Sequence, residues 1–272
     1  MRLPFAQIDA FADAPFSGNP AAVMPLTAWL PDATLQAIAE ENNLSETAFL
    51  VPCPDPDTAD FDLRWFTPAI EVALCGHATL AAGHLMLGAM PGAAAVRFST
   101  VRSGVLTVAR DGDGYALRLP ALPLDGQAPA AVLDAVAAAL GARPAELWAR
   151  GNDYLLALFP DAAAVRALAP DFRAVVALAP GIDLMLIATA PGDSSDIVSR
   201  VFVPAAGIDE DPVTGSAHAV LAPFWAGRFG RPAFTAEQAS RRGGRLHCRL
   251  DEGGVILGGK CRTVIEGEYV GL

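Results

Sequence analysis

Short apolar or alternating runs, punctuated by Gly, Pro and Asp, recur at residues 7–11, 48–51, 61–66, 96–99, 105–109 and 115–119, and this pattern predicts strands. Two kinds of helix stand between them. Residues 32–41 open on a polar Asp32, a plausible N-cap, and carry apolar positions at Leu35 and Ile38, the pattern of a helix lying on the outside of a core. Residues 78–89 are apolar nearly all round, as a helix enclosed by other elements must be. Further on, an apolar stripe over residues 130–140 ends at Gly141, and residues 217–226 again read as a buried helix, with Pro223 as a point where it can kink. Strands dominate each half, and each half has one enclosed helix.

The same landmarks appear twice in the same order. Gly18-Asn19 recurs as Gly151-Asn152, Pro31-Asp32 as Pro160-Asp161, Phe66-Thr67-Pro68-Ala69 as Phe202-Val203-Pro204-Ala205, and Gly76-His77-Ala78 as Gly215-Ser216-Ala217. Each repeat lies roughly half a chain further on. A single short match is weak in a chain rich in Ala, Gly and Pro, but four in collinear order favour a duplicated α+β unit over coincident turns. The segment around Pro120, Pro123, Gly126 and Pro129 reads as the linker, so the expected halves are residues 1–126 and 127–272.

Composition narrows the function classes. With 53% hydrophobic and 18% charged residues among 272, the chain is globular and long enough for two cores. A net charge of -11, without clustered Lys or Arg, argues against a nucleic-acid partner. The longest uncharged run, residues 78–96, contains Gly83, His84, Gly88, Pro91 and Gly92 and reads as a buried helix plus turn, not a membrane span. Pro4, Gln7, Asp9 and Asp13 break up the N-terminal segment as a secretory signal, so a cytoplasmic location is expected. Cys53, Cys75, Cys248 and Cys261 show no CxxC pairing and no His spacing that completes a zinc site, so reduced thiols and no structural metal are expected.

Candidate chemistry sits at the repeated turns. CGHAT at residues 75–79 and TGSAH at residues 214–218 each deliver a glycine and a polar residue to the start of an apolar helix. The first N–H groups of a helix lack intrahelical partners and carry partial positive charge, so such a turn attracts anions, and glycine lets a ligand approach the backbone. Taken singly, Gly76 and Gly215 are turn residues and Ser216 an ordinary N-cap. Their recurrence, with His77 and Asp211 added, favours binding of a carboxylate-bearing molecule. Strand alternation puts Glu46, Ala48 and Leu50 on one face, so the Glu46 carboxyl is expected to point inward. A carboxyl taken out of water holds its proton more tightly and suits one-group acid and base work, whereas an edge-strand Glu facing solvent is the plainer alternative. His77, at a helix start, is expected to be held near its neutral form; His84 and His247 read as structural, and His218 as ambiguous.

These segments, DAFADAPFSGNPAAV, ENNLSETAFLV, RWFTPAIEVALCGHATLAAGHL and GIDEDPVTGSAHAVLAPFW, resemble the signatures of the PhzF family of phenazine biosynthesis, whose wider relatives include diaminopimelate epimerase. The resemblance spans both halves and leaves mainly residues 110–190 without a strong signature. It implies an α+β fold of two similar domains, each a curved, mostly antiparallel sheet wrapped around a central helix, with the active site in the interdomain cleft and no cofactor. It places the catalytic glutamate on Glu46, the cleft histidine on His77, an aspartate and a serine on Asp211 and Ser216, the anion-binding turns on Gly76 and Gly215, and a substrate-contacting asparagine on Asn19. It further implies a cofactor-independent proton-shift isomerase acting on a small-molecule carboxylate, and a homodimer. The epimerase relatives use two cysteines at the two helix starts; here Cys75 holds the first place but Thr214 the second, so two-thiol racemisation is disfavoured and Cys75 reads as a packed thiol. An epimerase or dehydratase on the same scaffold, or a non-catalytic binding protein, remains the alternative.

Overall fold

The computed structural model describes residues 2–271 and divides into two units. One holds the chain up to Leu119 together with Ile256 onward, and the other holds Pro120–Val255. The return of the C-terminal segment to the first unit has a simple cause: the last strand, Cys261–Tyr269, pairs antiparallel with the first, Leu3–Ala10. The expected linker point near Gly126 lies instead inside the second unit, where Gly126–Gln127 is a short strand paired with Glu146–Arg150. A cut made by composition alone misses both facts.

In the first unit Leu3–Ala10 pairs antiparallel with Asn19–Pro25, which runs parallel to Glu46–Pro52. That strand pairs antiparallel with Phe61–Phe66, which in turn runs parallel to Ala95–Thr100 and on, antiparallel, to Gly104–Asp111 and Gly114–Pro120. The parallel pairs are joined by helices, as parallel neighbours require. Helix Asp32–Asn42 makes the first crossover and buries Leu35, Ile38 and Ala39 in a core with Met24, Phe49 and Phe66. Its N-cap is Pro31 and no side chain caps it, so Asp32 lies in the first turn and ion-pairs with Arg64 at 2.9 Å. The second crossover is helix Gly76–Ala89, buried over its first eight residues. It packs on Leu3–Ala10, Asn19–Pro25, Glu46–Pro52, Ala95–Thr100, Gly104–Asp111 and Cys261–Tyr269, so the sheet curves around it. Gly83 permits this: a Cβ there would meet Val108 side-chain atoms at 2.4 Å.

The second unit repeats this order. Glu146–Arg150 pairs antiparallel with Tyr154–Leu158, which runs parallel to Met185–Pro191; that strand pairs antiparallel with Ile197–Val203, which runs parallel to Ala233–Gln238 and on to Gly244–Asp251. The buried helix Gly215–Phe229 occupies the place that Gly76–Ala89 holds in the first unit, and it continues past Pro223. Helix Ala130–Leu140 ends at Gly141, φ 71°, and contributes Val136, Ala139 and Leu140 to a core with Leu147, Leu186 and Phe202. The duplicated α+β arrangement read from the landmarks is therefore a duplication of strand pairing. No helix among the described residues is long and apolar enough to cross a membrane.

Candidate active site

In the first unit a chain of contacts runs through His77. His77 is 4% exposed, and its two ring nitrogens meet different neighbours. Nε2 lies 3.0 Å from Glu46 Oε2, while Nδ1 lies 3.1 Å from Asn19 Nδ2 and 3.5 Å from Cys75 Sγ. The Ser45 hydroxyl donates to Asn19 Oδ1 at 3.2 Å, which turns the Asn19 amide nitrogen toward the ring. Glu46 opens the strand Glu46–Pro52 and keeps 15% of its side chain exposed. Its Oε2 and His77 Nε2 sit within ion-pair distance, yet neither has a well-directed hydrogen bond. The two groups are thus close, without a well-directed hydrogen bond between them.

The expectation that the helix start keeps His77 neutral meets opposing effects: the Asn19 amide N–H faces an Nδ1 that must accept, while Glu46 favours the charged ring. Burial disfavours the charged ring, and the Glu46 carboxylate beside it acts the other way and raises its pKa above the ordinary value. The Cys75 thiol goes the other way from a reactive one: burial, then Glu46, push it up to about 11. It stays protonated near neutrality. Cys75 is the helix N-cap residue, and its carbonyl accepts both the Thr79 amide (3.2 Å) and the Thr79 hydroxyl (2.6 Å). The amides of Gly76 and His77 are left without an intrahelical acceptor. Glu46, Cys75 and His77 each offer one ligand atom, all within 4.8 Å of one another, so among the described residues these could hold a metal ion. A metal there would displace the Cys75 proton and compete with Asn19 for the ring.

The second unit builds its turn from the same plan. Thr214 is the N-cap residue, Gly215 and Ser216 open the helix, and the fifth residue, His218, donates Nδ1–H to the Thr214 carbonyl at 2.8 Å, as Thr79 does to Cys75. Asp211 closes the strand Ile208–Asp211, is 8% exposed, and accepts from the Thr214 hydroxyl. Ser216 is placed beside the Tyr154 phenol, whose pKa burial and Asp153 raise. Tyr154 opens its strand as Asn19 does, and each touches the second residue of its buried helix, Ser216 in one case and His77 in the other.

Of the residues predicted from sequence, Glu46, His77 and Asn19 are in one cluster with the Gly76 turn, and Asp211 is bonded to Thr214, the N-cap residue just before Gly215 and Ser216. Sequence reasoning missed Ser45, Tyr154 and Gln238. Only Tyr154 carried a signal, since it stands just past the repeated Gly151-Asn152.

His218 also sets a pH dependence. Burial pushes its pKa down to about 4 from 6.5, so the unfolded chain binds a proton in that window that the native state refuses. Unfolding free energy should fall as pH drops from 6.5 toward 4, by on the order of 1 kcal/mol per pH unit. Urea titrations across the window check it. His218→Gln should flatten the slope, and an unchanged slope would assign the effect elsewhere.

Comparison with known proteins covers the whole arrangement. The family model PhzC-PhzF, described as phenazine biosynthesis-like protein, matches residues 8–268. An uncharacterized isomerase of Pseudomonas aeruginosa is 48% identical, over 98% of this chain and 98% of its own length. A crystal structure of a phenazine biosynthesis protein of the PhzF family from Enterococcus faecalis superposes with TM-score 0.89 at 42% identity, over 99% of this chain and 100% of that one. A hydroxyproline epimerase from Agrobacterium vitis shares the fold alone, with TM-score 0.62 at 14% identity over 98% of this chain and 92% of that one.

Proposed function

This chain belongs to the PhzC-PhzF family of phenazine biosynthesis-like proteins and is an isomerase, and we propose that its reaction is a proton shift within a small carboxylated substrate, carried by Glu46. The observation that carries this reading is the buried contact of 3.0 Å between Glu46 and His77. The Glu46 carboxylate takes a proton from a carbon next to an electron-withdrawing group, and the electron pair moves into the conjugated system. The resulting carboxylic acid returns the proton to another carbon. Atoms and charge balance within substrate and Glu46, so no cofactor is required. His77 steadies the changing charge on Glu46, and Asn19 and Ser45 hold the ring. Asn19 thereby supports the base from behind in addition to its expected contact with substrate.

The turns opened by Gly76 and Gly215 supply amides for a carboxylate, and Asp211 and Ser216 supply an acceptor and a hydroxyl. Two-thiol racemisation is disfavoured on physical grounds. Cys75 is held protonated, and Thr214 in the second place has its hydroxyl committed to Asp211. Cys75→Ala is expected to keep most of the exchange activity, and its complete loss would restore thiol chemistry. A cytoplasmic homodimer is part of the same proposal, and light scattering on purified protein tests the dimer.

A metabolite screen by thermal stabilisation, followed by NMR of each hit in heavy water, tests the reaction. Deuterium uptake with double-bond migration supports the isomerisation. Uptake without migration points to an epimerase or dehydratase, and a tightly bound hit that emerges unchanged points to a binding protein.

A further inference from the structure

Thr214 occupies the place in the second unit that Cys75 holds in the first, and all of its polar groups are engaged. Its N–H donates to Gln238 Oε1 at 2.9 Å. Its carbonyl accepts from the His218 ring at 2.8 Å and from the His218 amide at 3.2 Å. Its hydroxyl accepts from Gln238 Nε2 at 3.1 Å and donates to Asp211 Oδ2. Gln238 Nε2 donates also to the Asp211 carbonyl at 2.7 Å. Gln238 and His218 are fully buried, and Thr214 is nearly so.

The directions of these bonds follow from chemistry. A backbone N–H can only donate, so the Gln238 atom facing Thr214 N is oxygen, and the atom facing Thr214 Oγ1 and the Asp211 carbonyl is the donating nitrogen. With one hydroxyl lone pair receiving that donor, the hydroxyl proton is left for the Asp211 carboxylate. We propose that Thr214 is a positioning residue, aimed by Gln238, that fixes the Asp211 carboxylate and the Gly215–Ser216 turn for substrate. The inference rests on the reading that Asp211 and this turn contact substrate. It assigns the divergence between the repeats a purpose: one helix start keeps a packed thiol beside the proton-carrying pair, and the other anchors an aspartate.

The test needs no substrate, so its failure is distinct from failure of the proposed reaction. Carboxyl-carbon NMR of aspartate-labelled protein should show the Asp211 titration midpoint displaced upward in Thr214→Val and restored in Thr214→Ser. Gln238→Leu should displace it in the same direction, by less. A midpoint in Thr214→Val equal to wild type overturns the proposal. Should that variant not fold, wild type alone decides. The Thr214 hydroxyl proton is expected to exchange slowly and to show a nuclear Overhauser contact with the Gln238 carboxamide, and a hydroxyl averaged with solvent overturns the proposal. Once a substrate is in hand, Thr214→Val should cost nothing further in an Asp211→Asn background, and independent losses would overturn action through Asp211.

Discussion

Glu46→Gln is expected to lower exchange of the substrate's carbon-bound proton by roughly a hundred- to ten-thousand-fold, the range that a positioned acid or base contributes, with thermal unfolding little changed. The substitution keeps the shape and one acceptor oxygen, so the side chain can still face His77 where the carboxylate did. It removes the group that holds a proton between two carbons. It also removes the carboxylate that raises His77, so the ring should titrate lower in the variant. Both effects are read by NMR, one from substrate signals in heavy water and one from the imidazole carbon. Retained exchange would take Glu46 out of the chemistry, whereas lost exchange with an unmoved His77 would mean that the two do not share a site.

Gly18→Ala should destabilise the protein by on the order of 3 kcal/mol. Gly18 has φ +78°, and a Cβ built there would lie 2.4 Å from the Ala10 carbonyl oxygen and 2.8 Å from Ala12 Cβ. Neither neighbour is the free end of a flexible side chain, so strand and turn have to part. Asn19 follows directly and bonds the His77 ring, so loss of activity should accompany loss of stability. Urea unfolding checks the first effect and the exchange assay the second. A destabilisation well below 1 kcal/mol would show that the turn relaxes without strain.

How much was legible beforehand depends on the range of each interaction. The strands at residues 61–66 and 105–109 and the helix at residues 130–140 were visible because their apolar spacing is local. The strand Asn19–Pro25 was not, since after Asn19 it is apolar without alternation, short and bounded by prolines. Nor was Cys261–Tyr269, an exposed strand defined by its partner at the other end of the chain. Glu46 and His77 could be named from their motifs. That Ser45 turns Asn19, which in turn orients His77, could not, because each hydrogen bond joins residues brought near only by folding.

By itself the sequence determined the duplicated plan, the two glycine turns at helix starts, and the acidic residue on a strand beside one of them, because those features live in local propensity and in repetition. Only the tertiary structure decided which polar groups meet. It set the Glu46 carboxylate against a buried His77, engaged every polar group of Thr214 through Gln238, His218 and Asp211, and returned the final strand to the first unit. Charge, hydrogen bonding and strand pairing act between neighbours in space, and spacing along the chain does not specify those neighbours.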